Sequence, residues 1–156
     1  MRIGVISDTH DFLDPAISRV FAGVDHILHG GDVGRQRILL ELEQIAPVTA
    51  VGGNTDDPGF RFSHFESVTL EGWKFLLHHI VDPHRLSETV AQGIRQHHAR
   101  VVVFGHTHKP FREELNGVLY FNPGYAGKPR FGMQRSVAVL VVSPLEIRSE
   151  ILLLDP

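Results

Sequence analysis

A chain of 156 residues, 42% hydrophobic and 21% charged, can close one sizeable core and fits one globular domain rather than two. Its formal net charge of −3, with no basic block, offers no electrostatic footprint for nucleic acid. Cysteine is absent, which excludes disulfides and thiolate metal sites and leaves only nitrogen and oxygen donors for any metal.

No apolar run approaches membrane-spanning length, and Met1 to Ser7 turns polar too soon for a signal peptide, so a soluble cytoplasmic protein is expected. Ile3-Gly4-Val5-Ile6 reads as a strand buried on both faces that ends at Ser7-Asp8. Asp14-Pro15 opens a helix carrying Ala16, Ile17, Val20 and Phe21 on one face up to Gly23. His26 to His29 is a second strand, stopped by Gly30-Gly31. Ile38, Leu39, Leu42 and Ile45 recur at helical spacing before Pro47, and Val48 to Val51 is a third strand. This alternation predicts a parallel sheet with right-handed crossovers.

Residues 55 to 64 are polar and irregular. Phe65 to Leu70 and Trp73 to Leu77 flank Glu71-Gly72 as a hairpin, and a helix is expected over Leu86 to Gln96, starting near Ser87. Val101 to Phe104 is a buried strand. Asn116-Gly117 marks a type I′ turn, and Val137 to Val142 with Glu146 to Leu153 forms a last hairpin around Ser143-Pro144. The sheets are thus expected to be parallel early in the chain and antiparallel late.

Metal-ligand chemistry sits just after these apolar runs: Asp8-Thr9-His10, Gly31-Asp32, Gly53-Asn54, His78 and Gly105-His106-Thr107-His108. Singly, most have plain structural readings, such as a capping Asp, turn residues or a core histidine. The Gly-His-Thr-His run is the most specific, and the five together place every donor where loops converge beyond strand ends. Gly31, Gly53 and Gly105 would allow close backbone approach there. The donors suit Mn²⁺, Fe, Zn²⁺ or Ni²⁺. Seven candidate ligands (Asp8, His10, Asp32, Asn54, His78, His106, His108) suit two ions sharing a carboxylate better than one tetrahedral ion.

In this order and form the segments resemble the calcineurin-like metallophosphoesterase superfamily, in particular its small YfcE-like phosphodiesterase branch, over nearly the whole chain down to Asn122-Pro123-Gly124. The resemblance implies an α/β fold, a four-layer αββα sandwich of two mixed sheets flanked by helices. It implies one ion held by Asp8, His10, Asp32 and His108, and a second by Asp32, Asn54, His78 and His106, with Asp32 bridging. Mn²⁺ stands first, then Fe, Zn²⁺, Ni²⁺ or Mg²⁺. The implied reaction is in-line attack on a phosphate ester by a hydroxide shared between the metals, on a diester rather than a monoester. Asn54, Asp32, His78 and Thr55 form the catalytic set, a small phosphate ester is the partner, and a homo-oligomer is in keeping with the family. The contrasting reading is a protein-binding scaffold like the retromer subunit Vps29, which the intact histidines argue against.

Several positions depart from the family's pattern. Thr55 stands where many relatives carry a histidine that serves the leaving group, and a hydroxyl does not titrate near neutrality. Asp56 is expected to orient its neighbours. Asp11, His79 and Tyr125 replace a usual glycine, glycine and serine, with His79 narrowing the site or adding a phosphate donor and Tyr125 walling the pocket. Arg35, Arg61 and Arg130 are candidates for phosphate recognition. Substrate choice is expected from the loops at 55–64, 79–86 and 124–135.

Overall fold

The computed structural model describes residues 1–59 and 62–155, so Arg61 lies outside the described residues. The strands are β1 (Arg2–Ile6), β2 (His26–His29), β3 (Val48–Ala50), β4 (Glu66–Leu70), β5 (Trp73–Leu77), β6 (Val101–Val103), β7 (Phe111–Leu115), β8 (Val118–Asn122), β9 (Arg135–Val142) and β10 (Ile147–Leu154). The helices are α1 (Ile17–Val20), α2 (Arg37–Glu43) and α3 (Glu88–His97). Two five-stranded sheets result, ordered β10-β9-β1-β2-β3 and β4-β5-β6-β8-β7.

Three apolar clusters define the layers. Ile3, Val5, Leu28, Phe75, Leu77, Val101, Val103 and Phe121 meet between the sheets. Ile6 and Ile27 face the other way, onto Ile17 and Phe21 of the α1 region and Ile38 and Leu42 of α2. Leu76, Val102 and Tyr120 pack on Val90 of α3. The period-two alternation of each buried strand thus feeds a different cluster from each face, giving the expected helix-sheet-sheet-helix order.

Two expectations need correction. The parallel and antiparallel pairings are not divided early from late: β1, β2 and β3 are parallel while β9 is antiparallel to β1, and β5, β6 and β8 are parallel inside antiparallel edge strands β4 and β7. The helix opening at Asp14 is a single turn, Ile17–Val20, because Asp14 caps a turn through Oδ1 to the Ala16 N–H (2.8 Å) and the β-branched Ile17 and Val20 extend a helix poorly. The turns at Glu71-Gly72 and Asn116-Gly117 have φ of 50° and 79°, and 52° and 76°, as type I′ hairpins require. Ser87 caps α3 by accepting from the Val90 N–H (3.3 Å). Among the described residues no helix is long and apolar enough to cross a membrane.

The carboxyl ends of β1, β2, β3, β5, β6 and β8 gather at one end of the sandwich. The chain stays pinned beyond them: Asp8 N donates to Gly31 O (2.9 Å), His10 N to Asp32 O (2.9 Å) and Gly105 N to His79 O (3.0 Å). The loops there are fixed by backbone bonds rather than left to solvent.

Candidate metal centre

Two carboxylates form the floor, both buried. Asp8 Oδ2 accepts from Ser7 Oγ (2.7 Å) and from the His106 N–H (3.1 Å). Asp32 Oδ1 accepts from the Thr55 N–H (2.9 Å). These bonds leave Asp8 Oδ1 and Asp32 Oδ2 turned towards three imidazoles. Asp8 Oδ1 lies 3.2 Å from His108 Nε2 and 3.9 Å from both His10 Nε2 and His79 Nε2. Asp32 Oδ2 lies 3.8 Å from His10 Nε2 and 3.3 Å from His79 Nε2. Asp8, His10 and His108 thereby form one group of converging donors, and Asp8, Asp32 and His79 a second.

At the exposed rim, Asn54 Oδ1 is 3.0 Å from His106 Nδ1, and the His106 ring stands edge-on to His79 with centroids 5.5 Å apart. Six of the seven expected ligands are therefore assembled. The seventh, His78, is displaced from the cluster: its Nδ1–H donates to Ile80 O (2.9 Å), and the imidazole facing Asp32 belongs to His79. Strand parity is the reason. His78 N still bonds Val103 O (3.2 Å), so the pairing of β5 runs past Leu77, and His79 falls on the inner face with Phe75 and Leu77. His78 shares the alternate register of Leu76, which faces α3. The unbroken apolar run Phe75-Leu76-Leu77 hides that parity in the sequence, and the pairing of β5 with β6 settles the choice between the adjacent histidines.

Backbone strain is concentrated in the same corner. Asp8, His10, Asp32, His106 and His108 have φ of 57°, 46°, 51°, 67° and 59°. Left-handed conformations cost non-glycine residues on the order of 1–3 kcal/mol each. Five of them amount to the scale of a whole domain's net stability, ~5–15 kcal/mol. Packing alone has no use for such an arrangement, whereas a set of converging ligands does. The glycines serve close approach: a Cβ on Gly53 would lie 2.0 Å from Asp32 Oδ1, and one on Gly105 2.0 Å from Ser7 Oγ.

A supporting shell accounts for other polar residues. Asp56 accepts from Gly34 N (2.7 Å), Gly53 N (2.8 Å) and Val33 N (3.0 Å), tying the Asp32 loop to the Asn54 loop. This is the orienting role expected of it. Asn122 Nδ2 donates to Gly105 O (2.8 Å) and holds the Gly-His-Thr-His loop. Fully buried His29 accepts from Gly31 N at Nδ1 (3.2 Å) and contacts Thr9 Oγ1 at Nε2 (3.0 Å); burial holds its pKa down at about 3, so it is a neutral strut. Ser7 and His29 carry no local sequence signal, because each works by bracing a ligand loop. Tyr125 is buried with its ring 4.7 Å from that of His108, walling the cluster as expected. Arg130 lies over the Tyr125 ring at 5.5 Å, and Arg35 reaches outward to Asp11 (3.6 Å). A groove of about 790 Å³ beyond Arg130, lined by residues 129–135 and 153–155, contains none of these donors.

The electrostatics test whether a cation fits. Burial raises the pKa of Asp8. Burial would also raise Asp32, but His79 and the Thr55 N–H outweigh it and hold that carboxyl well below its usual range. Burial would lower His79, but Asp32, Asp8 and the bond to Gly30 O hold it above its ordinary value. The two carboxylates thus pull positive charge towards His79. Yet His79 Nδ1 is committed to Gly30 O (2.8 Å), and its buried Nε2 has no hydrogen-bond partner among the described residues. A buried imidazole nitrogen facing two carboxylates without a bond, its other nitrogen fixed on a carbonyl, has the orientation of a metal ligand. The donor set of carboxylate, imidazole and amide fits a divalent ion of the Mn²⁺–Zn²⁺ range.

Comparison with known proteins agrees. Residues 1–144 match the profile of the calcineurin-like phosphoesterase superfamily domain. A probable metallophosphoesterase from Methanothermobacter thermautotrophicus is 36% identical over 163 residues, covering 97% of this chain and 92% of that one. The solved structure of an archaeal phosphodiesterase superposes with a TM-score of 0.75 at 27% identity, covering 97% of this chain and all (100%) of that one. Zinc-bound wild-type Vps29 from Entamoeba histolytica shares the fold with a TM-score of 0.74 at 22% identity, covering 98% of this chain and 99% of that one. With strand ends, ligand cluster and relatives in agreement, the chain belongs to the calcineurin-like phosphoesterase superfamily.

Proposed function

We propose that the protein is a dinuclear metal-dependent phosphodiesterase. The observation that carries this reading is the buried, unbonded Nε2 of His79, 3.3 Å from Asp32 Oδ2 and 3.9 Å from Asp8 Oδ1. Asp8, His10, Asp32 and His108 would hold one ion, and Asp32, Asn54, His79 and His106 the other. In this scheme Asp32 would serve both ions, its Oδ2 lying 3.8 Å from His10 Nε2 and 3.3 Å from His79 Nε2, nearer to each than Asp8 Oδ1 at 3.9 Å. Two divalent ions, Mn²⁺ first among the candidates, would supply a water acidified to a nucleophile near neutral pH and positive charge against the phosphoryl oxygens.

The chain's own residues do the rest. Ser7 and the His106 N–H hold Asp8, and the Thr55 N–H holds Asp32, so neither carboxylate must reorganise during the reaction. Asn54 keeps Nδ2 as a donor for a phosphoryl oxygen while Oδ1 faces His106. Thr55 Oγ1 lies 3.3 Å from His10 Nδ1 and steadies that ring, which leaves no titratable group at position 55 for the leaving group. The likeness to an archaeal phosphodiesterase supports diesters over monoesters. A Vps29-like scaffold is the weaker reading, since that likeness is one of fold and this chain keeps its full set of imidazoles.

The test is turnover of bis-p-nitrophenyl phosphate against p-nitrophenyl phosphate with Mn²⁺. A kcat/KM at least ten times higher for the diester is expected. Preference for the monoester overturns the diesterase assignment, and no turnover of either overturns the enzymatic one.

A further inference from the structure

The doubling of histidine at 78–79 supplies one imidazole more than the metal cluster uses. His78 lines a cavity of about 230 Å³ together with Gly52, Gly53, Asn54, His64 and Ile80. His79 borders the same space, so the cavity shares two residues, Asn54 and His79, with the metal cluster. It is a side chamber of the reaction centre and far larger than a single water requires.

Its walls specify a ligand chemistry. The Gly52-Gly53 backbone lines one side of the chamber, and the Cβ directions of both residues point to Phe62 and Asp32, outside the chamber lining, so a flat group can lie against the peptide planes. Ile80 is 46% exposed, an unusually open position for an isoleucine, and forms an apolar face on the chamber. His78 spends its Nδ1–H on Ile80 O (2.9 Å), which fixes the tautomer and leaves Nε2 as an acceptor lone pair. A chamber with a bare platform, an apolar wall and one oriented acceptor recognises a ring that carries an O–H or N–H donor. A simple alkyl substituent would leave that acceptor unused.

We propose that this chamber is the subsite for one ester substituent of the substrate, that the substituent is a nucleoside, and that His78 is its specificity-determining residue. The inference rests on the phosphodiesterase reading. A sugar hydroxyl or base N–H donates to His78 Nε2, the ring lies on Gly52-Gly53 against Ile80, and His64 closes the outer side. The phosphate itself stays with Asn54 and the metal ligands. His78 therefore acts on substrate binding and not on the chemical step, a split that kinetics can read.

The experiment compares two p-nitrophenyl diesters on the Mn²⁺-loaded protein: thymidine 5′-(p-nitrophenyl phosphate), which fills the chamber, and methyl p-nitrophenyl phosphate, which cannot. The wild type should show the lower KM for the thymidine ester. His78→Leu should raise that KM about tenfold with kcat within about threefold, as expected when a ground-state hydrogen bond is lost, and leave the methyl ester unaffected. His64→Ala, a change at an exposed residue, should act in the same direction. Metal content is measured on each protein. Loss of an ion in His78→Leu would make His78 a ligand and overturn the proposal. Equal effects on both esters, or no effect on either, would also overturn it while leaving the phosphodiesterase reading intact. Failure of the wild type to hydrolyse either ester would instead remove the phosphodiesterase reading, and this inference with it.

Discussion

His79 Nε2 and Asp32 Oδ2 face each other at 3.3 Å across the floor of the site, and the buried nitrogen makes no hydrogen bond among the described residues. A protonated imidazole and a carboxylate at that distance would ordinarily align to form one. The pair is held apart from that geometry because Nδ1 is anchored on Gly30 O (2.8 Å) and Asp32 Oδ1 on the Thr55 N–H (2.9 Å). Both groups are therefore aimed at a common third point rather than at one another, which is the arrangement of two ligands.

The two neighbouring histidines should separate cleanly in metal content. His79→Asn is expected to lower bound Mn²⁺ from two ions per chain to one and to cut kcat/KM by about 100-fold or more, the scale of removing one charge-stabilising group. His78→Asn should retain both ions. Elemental analysis of the two variants decides; loss of metal in His78→Asn alone would reverse the assignment.

Position 55 governs the leaving group. With Thr55 Oγ1 committed to His10 Nδ1 (3.3 Å) and unable to titrate near neutrality, the departing alkoxide receives no proton from this residue. Across a series of aryl phosphodiesters, log kcat/KM should fall steeply with leaving-group pKa, and Thr55→His should flatten the slope. A flat dependence in the wild type would show that another group donates the proton.

Stability should fall on the acid side through His29. Its folded pKa is about 3 against 6.5 for the free side chain, lowered by burial. The folded state therefore favours the neutral ring. Below pH 6.5 the unfolded chain takes up a proton that the folded chain does not take up until about pH 3, so stability is full above 6.5 and declines between those values. One such group contributes at most about 1.4 kcal/mol per pH unit. Melting of the metal-free protein between pH 7.5 and 4.5 should show a shallower decline in His29→Asn than in the wild type. Parallel declines would remove His29 as the cause.

The close approach at Gly53 should be intolerant of a methyl group. A Cβ there meets Asp32 Oδ1 at 2.0 Å and Asp32 N at 2.4 Å, neither on a flexible chain end. Gly53→Ala is expected to destabilise the protein by about 1–3 kcal/mol, as overpacking does, and to weaken Mn²⁺ binding by displacing the carboxylate. Isothermal titration with Mn²⁺ checks the second effect; wild-type affinity would show that the loop can shift without moving Asp32.

Much of this was legible in the chain itself, for identifiable reasons. Buried strands such as Ile3 to Ile6 and Val101 to Val103 carry unbroken apolar runs, and the hairpins at Glu71-Gly72 and Asn116-Gly117 announce their left-handed turns. Donors placed just after those runs were bound to meet at one end of parallel strands, and Asp8, His10, Asp32, Asn54, His106 and His108 do meet. Less legible was anything set by register or by bracing. The choice of His79 over His78 depends on where β5 stops alternating, which only its pairing with β6 fixes. The single-turn helix at Ile17 followed from the competing turn at Asp14, and the mixed character of both sheets depends on where β9 and the β7-β8 pair dock, which local patterning does not encode. The bracing by Ser7, His29 and Asn122 involves partners distant in sequence or ordinary in composition.

The most direct test of the central claim is a Mn²⁺ titration of chelator-stripped protein, followed by hydrolysis of bis-p-nitrophenyl phosphate. The account predicts no turnover without metal and activity that rises to a plateau at two ions per chain. Undiminished turnover in the stripped protein, or full metal loading with no turnover at all, would contradict it.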